Sequence, residues 1–437
     1  MESLDLITGQ FYRHPVVRRI GRIQSVSSTV IIVTGLSDIA SIGHRVSLGM
    51  AGEINGEVVQ VMPDTISVLA ESDLTSLRIG EPVRYLGRLE VFPCAEWLGR
   101  LIDSTGSPLD GKALVQGHSG IPVDRTPPMA IERRALGGRI STGYALFNTL
   151  LPLVRGQRLG VFSGSGVGKS SLMAAFARDV QVDVVVIALI GERGREVNHF
   201  INSVLGQKGM KRSVVVAATS DQSPLARRQA AFTAMAVAEY FRDAGQHVLL
   251  MLDSITRLAE AHREIASSTG ENLSMRGFPP STVGLLAAFA ERAGPGTSGQ
   301  GDITAIFTVL VSGSDMEEPV ADTLRGLLDG HVVLAREIAE RGRFPAVDVV
   351  QSVSRSLPEA ASEEENSLIA EARRTLSLYE DSEIMVRSGL YQPGTNPSLD
   401  HAVSAFPKLD AFAAARDDDI VSSFERLREC LENESDS

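Results

Sequence analysis

The pattern of apolar and polar positions divides the chain into three parts. From residue 16 to about residue 90, short runs rich in β-branched residues are separated by Gly, Asp and Ser turns. This spacing predicts a small β-barrel, with an ordinary small sandwich as the alternative. The runs with the strongest strand pattern are residues 29–34, 57–62, 65–69 and 82–86.

The second and third parts have different periodicities. Residues 91–150 carry many Gly and Pro turn signals and predict a connector with short elements. Residues 151–355 alternate apolar strand runs with helical segments, which indicates βαβ units and a mainly parallel sheet. From residue 356 onward the pattern is helical. The predicted strands of the sheet are residues 158–162, 182–190, 213–218, 248–252, 303–311 and 331–334.

These patterns predict a multidomain α/β chain. A small β-barrel covers residues 1–90, a central domain with a mainly parallel sheet and flanking helices covers residues 91–355, and a helical domain covers residues 356–437. Residues 91–150 form the linker at the start of the central domain. Near the C-terminus, one helical face carries an apolar stripe that we expect to pack in the core; its members are Phe424, Leu427 and Leu431.

Composition narrows the class of protein. The chain has 437 residues, of which 43% are hydrophobic and 22% charged, as is ordinary for a soluble globular protein. The net charge of −12 argues against a nucleic-acid partner. Cys94 and Cys430 lie far apart, which makes a zinc site unlikely and fits a reducing compartment. Without a signal-peptide pattern or a long apolar run, we expect a cytoplasmic protein whose membrane association is only peripheral.

A glycine-rich loop between a predicted strand and a predicted helix carries the clearest chemistry. In such a loop, backbone N–H groups cradle phosphate oxygens, the lysine places its charge on the β- and γ-phosphates, and the serine hydroxyl can bind Mg²⁺. The sequence therefore predicts a P-loop that binds a nucleoside triphosphate, with Lys169 also a candidate catalytic residue. The loop and its continuation into the helix comprise Ser163, Gly164, Ser165, Gly166, Val167, Gly168, Lys169, Ser170 and Ser171.

Ser163 is the departure from the usual pattern, in which the first position is glycine or another small residue. A Cβ and a hydroxyl at this position narrow the backbone conformations that are available. We expect the change to be tolerated because Gly164, Gly166 and Gly168 remain.

Hydrolysis requires a carboxylate near the metal, a group that orients water and a cation for the transition state. Asp253 ends the apolar strand 248–252, so it would reach the ligand crevice and the Mg²⁺ shell. The alternative is that Asp253 caps the helix that follows. Glu192 and Arg193 come directly after another strong strand and offer a base and a neighbouring cation. Their alternative is a solvated, charged loop.

Several stretches together resemble one family. They are L-V-R-G-Q-R-L-G-V-F at residues 153–162, which runs into the P-loop, G-E-R-G-R-E-V at 191–197, and P-A-V-D at 345–348 followed by S-V-S-R at 352–355. The chain resembles the α/β ATPase family of rotary ATP synthases, and within it the ATPases of flagellar type III protein export. The resemblance spans about residues 16–430 and implies a RecA-like central domain.

The resemblance also implies roles for individual residues. Glu192 would orient the attacking water, and Arg193 would contact the nucleotide. Arg355 would be an arginine finger that is presented to the nucleotide of an adjacent subunit. Phe344 would lie against the adenine, and Tyr391 would line the same pocket. The implied ligands are ATP and Mg²⁺.

The implied partners are further copies of the chain in a homohexamer and the regulator, stalk and export-gate proteins of the type III apparatus. Exported proteins and their chaperones would also bind, and the ATPase would sit at the inner-membrane base of the flagellar export apparatus.

Three other functions stay open at this point. An ATPase of a virulence-type secretion injectisome would share every catalytic residue. A non-catalytic nucleotide-binding subunit would lack Glu192, so its presence here argues against that class. An RNA translocase with a related core would need a basic, aromatic-rich surface, which the net charge disfavours.

Overall fold

The computed structural model describes residues 19–27, 30–50, 52, 54–72, 74–274, 277–311 and 316–432. The expected strand start at residue 29, the segment before residue 19 and the tail after residue 432 lie outside these described residues.

A closed barrel of six antiparallel strands forms the N-terminal part, in the order β1-β2-β5-β4-β3-β6. Strand β2 shows how the sequence forms it, because Ile31 and Val33 are buried and alternate with partly exposed neighbours. The barrel prediction is confirmed over the sandwich. The strands are β1 Ile20–Val26, β2 Val30–Thr34, β3 Arg45–Leu48, β4 Ile54–Val61, β5 Thr65–Ala70 and β6 Pro82–Gly87.

The strand runs singled out in the sequence did not include β1 and β3. Strand β3 has no alternation to detect, because all four of its residues are buried. Its first residue, Arg45, is accommodated by an ion pair with Glu71 at 2.7 Å. Because this short strand begins with a charged residue, the pattern of apolar positions did not predict it.

The linker packs as an ordered connector around Trp97, which is fully buried and donates from Nε1 to the Val115 carbonyl at 2.7 Å. Arg100 folds the following loop by a bidentate ion pair with Asp110. The short strands here are β7 Glu90–Val91, β8 Leu101–Ile102 and β9 Ile121–Pro122.

A nine-stranded sheet forms the centre of the molecule, with the main path β17-β16-β10-β15-β13-β11-β12-β8. The pairs from β16 through β10, β15, β13, β11 and β12 to β8 are parallel, whereas β14 and the edge strand β17 run antiparallel to their partners. The strands are β10 Arg158–Ser163, β11 Val184–Glu192, β12 Ser213–Thr219, β13 His247–Asp253, β14 Gly294–Pro295, β15 Asp302–Leu310, β16 Gly330–Leu334 and β17 Val347–Ser354.

Helices cover both faces of this sheet, which explains why β13 is buried along its whole length. Helices α5–α8 pack in the core cluster on one face, and α2 packs with the C-terminal helices on the other. The helices of this part are α1 Ala145–Asn148, α2 Lys169–Asp179, α3 Gly194–His199, α4 Gly206–Met210, α5 Pro224–Asp243, α6 Ile255–Ser268, α7 Ser281–Arg292, α8 Pro319–Leu327 and α9 Arg336–Glu340.

Three helices complete the described chain: α10 Glu363–Arg387, α11 Pro397–Ala414 and α12 Ile420–Leu431. Ser362 starts α10 with a capping box to Glu365, and three glutamates occupy the first turn. The apolar stripe of α12 is buried in the same core cluster as α2, as expected from its spacing. No helix among the described residues combines the length and apolar character needed to cross a membrane.

Candidate active site

A cleft of about 1530 Å³ opens at the carboxyl ends of the parallel strands. Ligands bind at this edge of open α/β sheets because loops and helix N-termini converge there. Ser163 and Glu192, the last residues of β10 and β11, line the cleft. Asp253, the last residue of β13, does not line it but contacts Lys169, which does. Every predicted P-loop residue from Ser163 to Ser171 lines the cleft.

The P-loop turns because two glycines adopt left-handed backbone conformations, with φ of 79° at Gly166 and 87° at Gly168. Helix α2 begins at Lys169, so the helix N-terminus faces the cleft and favours an anion there. Ser163 is the last residue of β10 and is fully buried. Its backbone is extended, a conformation that any residue adopts, so the backbone accepts a serine, but the buried Oγ atom has no hydrogen-bond partner among the described residues.

Lys169 links the two acidic residues of the site. Its ammonium group forms an ion pair with Asp253 Oδ1, and it lies 3.9 Å from Glu192 Oε1. Asp253 also accepts a hydrogen bond from the Thr308 hydroxyl at 2.8 Å. The next residue, Ser254, is the N-cap of α6 and accepts from the backbone N–H of Arg257. The capping role therefore belongs to Ser254, and Asp253 points into the site.

Glu192 differs from its charged neighbours in its surroundings. Its side chain is 24% exposed, whereas that of Arg193 is 67% exposed and pairs with Glu196 at 3.4 Å. Burial and then the charge of Asp253 raise the pKa of Glu192 to about 7, against the opposing effect of Lys169. A carboxyl group with a pKa near neutrality suits general-base chemistry in a cleft.

Arg257 is a cleft residue that the sequence analysis missed. Its side chain packs directly over Gly191, next to Glu192, and its Nη1 donates to Glu260 at 2.6 Å. Its Nε atom is buried and has no hydrogen-bond partner among the described residues. The sequence could have indicated Arg257 by its position alone, since it lies in the first turn of the helix that follows Asp253. Four further arginines line the cleft, of which Arg263 is on the same helix as Arg257: Arg193, Arg227, Arg263 and Arg336.

Phe344, in the segment before β17, lies against the P-loop. A Cβ built on Gly168 would lie only 3.0 Å from Cδ1 of its ring. The ring is nevertheless 51% exposed. A half-exposed aromatic beside a phosphate-binding loop offers a face on which a nucleotide base can stack.

Tyr391 does not line the cleft in this structure. It lies in the loop between α10 and α11, where its hydroxyl donates to Asp400 at 2.6 Å. Asp400 also accepts from the Gly394 backbone N–H. The contacts of Tyr391 thus close its own loop, and its role as a nucleotide contact stays a prediction without support from this geometry.

Arg355 lies far from the P-loop of its own chain. It follows β17, which runs antiparallel to β16 and pairs Ser354 with Gly330 at the beginning of that strand. The backbone N–H of Arg355 bonds to Asp329, and Asp329 pairs with Arg158, where β10 begins. Since β10 is six residues long, about 16 Å of strand separate that point from the P-loop. The side chain is exposed and donates to the Arg325 carbonyl at 2.9 Å.

The fold and these side chains define a P-loop ATPase that has a barrel before its nucleotide-binding domain and helices after it. Residues 143–354 match the model of the ATP synthase alpha/beta family, nucleotide-binding domain. Residues 361–432 match the model described as T3SS EscN ATPase C-terminal domain. The chain belongs to the ATP synthase alpha/beta family.

Individual relatives cover nearly the whole chain. It is 40% identical to the flagellum-specific ATP synthase of Caulobacter vibrioides, over 95% of this chain and 96% of the relative. It is 39% identical to the type 3 secretion system ATPase of Xanthomonas euvesicatoria, over 96% and 95%. The assembled ATPase EscN in complex with its central stalk EscO, from enteropathogenic E. coli, matches with a TM-score of 0.86 and 35% identity, covering 94% of this chain and 100% of that one.

Proposed function

We propose that this ATPase works as a ring of identical subunits and drives protein export through the flagellar type III apparatus. The observation that carries the proposal is the division of the site within one chain. Lys169, Glu192 and Asp253 converge at the P-loop, whereas Arg355 lies at the opposite edge of the sheet. A second copy of the chain is needed to bring that arginine to the cleft.

The P-loop binds the triphosphate through its backbone N–H groups and Lys169, at the N-terminus of α2. Phe344 stacks on the adenine, since its exposed face lies beside Gly168. These contacts hold the γ-phosphate in front of Glu192 and keep the reacting groups oriented.

Two oxygen ligands of the kind that Mg²⁺ prefers lie at the P-loop, namely the hydroxyl of Ser170, which lines the cleft, and the carboxylate of Asp253, which contacts Lys169. Such sites commonly use one or two protein ligands together with substrate phosphates, so these two residues fit the ion. When bound, Mg²⁺ neutralises charge on the phosphate oxygens. In this structure the carboxylate of Asp253 pairs with Lys169. With Mg²⁺ bound, the same carboxylate would interact with both the metal ion and the lysine.

Glu192 accepts a hydrogen bond from the attacking water and orients it towards the γ-phosphate. Arg193 contacts the nucleotide from the rim of the cleft. Arg355 of an adjacent subunit stabilises the charge that spreads over the γ-phosphoryl oxygens in the transition state.

Subunits that each present a cleft on one side and a finger on the other associate head to tail, and such contacts close into a ring. We propose a homohexamer that works with a stalk or regulator protein, the export gate, and exported proteins with their chaperones. The relative EscN, described as assembled and bound to a central stalk, supports the oligomer and the stalk. The ATPase would act in the cytoplasm, peripherally at the base of the export apparatus.

The direct test of the catalytic assignment is Glu192→Gln. We expect this variant to bind Mg-ATP as tightly as the parent chain and to release phosphate at least about 10²-fold more slowly, because the amide cannot accept the proton of the water. Equilibrium binding of a fluorescent ATP analogue and a phosphate-release assay measure the two quantities. Glu425→Gln, an exposed carboxylate on α12 outside the cleft, is the matched control and should retain activity. Unchanged phosphate release in Glu192→Gln would contradict the assignment.

The export function needs a cellular test. In flagellated cells that carry this chain as their export ATPase, replacement by Glu192→Gln should stop secretion of flagellar subunits into the medium while the protein is still made. Undiminished flagellar secretion, with loss of a virulence-type secretion instead, would assign the chain to an injectisome.

A further inference from the structure

The position of Phe344 is not explained by its own packing. Half of its side chain is exposed, and the described contact of its ring is with the P-loop at Gly168. An exposed ring can stay beside the P-loop only if the backbone segment that carries it does not move away. The neighbouring residues must therefore supply the constraint.

Arg343, the residue before Phe344, supplies it. Its Nη1 donates to the Pro345 carbonyl at 3.0 Å, and its Nη2 donates to the Val347 carbonyl at 2.9 Å. The guanidinium thus bonds to backbone carbonyls that follow Phe344 in the chain. These bonds hold together residues 343–347, here called the Phe344 segment. The side chain is only 11% exposed, so these bonds are made largely out of water, where they are stronger.

The third bond of Arg343 reaches another domain. Its Nε donates to Asp410 Oδ1 at 3.0 Å, and Asp410 lies on helix α11 of the C-terminal part. A planar guanidinium can hold a carboxylate and two carbonyls at once, which an ammonium group cannot do in a fixed geometry. The Phe344 segment is therefore fastened to α11 by one side chain.

Arg341, on the same turn, provides a comparison within the chain. It also pairs with a C-terminal helix, through Glu383 of α10 at 3.3 Å, but its side chain is 49% exposed. No bond from its side chain to the backbone around Phe344 is found among the described residues. The two arginines are thus alike in charge and in the domain they reach, and they differ in the contact to the Phe344 segment.

We propose that Arg343 is a positioning residue for the nucleotide base, which holds Phe344 against the P-loop and is itself held by Asp410 of the C-terminal domain. This inference rests on the proposed role of Phe344 as the stacking partner of adenine. It predicts that Arg343 acts on base recognition alone and leaves the phosphate site unchanged.

The test compares the affinity for ATP with that for a ligand that has no base. KM and kcat for Mg-ATP and the inhibition constant of tripolyphosphate are measured for Arg343→Ala, Phe344→Ala, the double variant and Arg341→Ala. We expect Arg343→Ala and Phe344→Ala each to raise KM about tenfold with kcat within about twofold, the size expected for losing one base–aromatic stack. The double variant should be no worse than Phe344→Ala, because both changes remove the same contact. Tripolyphosphate inhibition and the Arg341→Ala control should stay unchanged.

The outcomes separate this inference from the proposed function. If Phe344→Ala raises KM and Arg343→Ala does not, the positioning role is wrong and the base pocket stands. If Arg343→Ala weakens ATP and tripolyphosphate equally, or adds to Phe344→Ala, Arg343 supports the phosphate site or the fold instead. An unchanged KM in Phe344→Ala overturns the base pocket and the inference together. Should Arg343→Ala fail to fold, Asp410→Ala, which leaves the loop sequence intact, must raise KM for ATP without changing tripolyphosphate inhibition, and an unchanged KM there refutes the proposal.

Discussion

The pKa of Glu192 results from opposing effects of burial and of neighbouring charges in the site. Glu192 lies 3.9 Å from Lys169, which favours the carboxylate, yet burial and the charge of Asp253 outweigh that attraction and bring its pKa to about 7. The free enzyme therefore holds its proposed base near half-ionisation at neutral pH. A base is useful only when it is deprotonated, so activity depends on pH in a predictable direction.

We expect kcat/KM for Mg-ATP to rise as the pH increases through about 7 and then to level off, because only ionised Glu192 can accept a proton from water. Initial rates between pH 6 and 8.5 at subsaturating ATP measure this, with nucleotide binding followed separately as the control. A kcat/KM that is constant over that range would show that no group with this pKa limits the reaction.

At the scale of elements, the linker shows how a short irregular segment is fixed. Arg100 holds Asp110 bidentately at 2.6 and 2.8 Å and also bonds to two backbone carbonyls of the same loop. The hydrogen bond from Arg100 lowers the pKa of Asp110 to about 2. Because the pKa is depressed on folding, the carboxylate stabilises the native state above the ordinary pKa of Asp, and this stabilisation is lost as the pH falls through about 2.

Asp110→Asn should destabilise the linker by about 1 kcal/mol at pH 7, since an amide cannot pair with the guanidinium as a carboxylate does. Urea unfolding, followed by the fluorescence of Trp97, the single tryptophan of the chain and fully buried in the linker, reports on this region. The difference between variant and parent should shrink as the pH is lowered below about 4.

Asp124→Asn is the matched control, because the Arg88–Asp124 pair is also close, at 2.7 Å, but is at least 50% exposed on both sides. Water screens such a pair, so its loss should change stability by less than about 0.5 kcal/mol. Equal effects of the two substitutions would mean that the Arg100–Asp110 pair contributes nothing special to the linker.

The sequence predicts the position of a site residue where that position depends only on the strand that the residue follows. The P-loop, Glu192 and Asp253 each follow an apolar strand, and parallel strands must end at one edge, so their convergence was predictable. The contacts made by Arg257 and Arg343 depend on side-chain directions, which spacing along the chain does not fix. Tyr391 shows the same limit, because its loop folds back on Asp400 and keeps it from the cleft.

At the scale of the whole molecule, the decisive fact is the antiparallel direction of β17. It places Arg355 at the end of the sheet opposite the P-loop, about 16 Å of strand away. The apolar run of β17 does not encode its direction, so the residue pattern did not predict this placement, and only the family resemblance implied that Arg355 serves an adjacent subunit. The proposed site therefore forms at an interface between two copies of the chain.

The most direct measurement of this claim is specific ATPase activity against protein concentration, from nanomolar to micromolar, with the oligomeric state followed by sedimentation. We predict negligible turnover wherever the chain is monomeric, with ATP still bound, and a steep rise as the ring assembles. Arg355→Ala should assemble and bind ATP but lose turnover by roughly 10³-fold at every concentration. A monomer with full specific activity, or an assembled Arg355→Ala ring with near-normal turnover, would contradict the shared site.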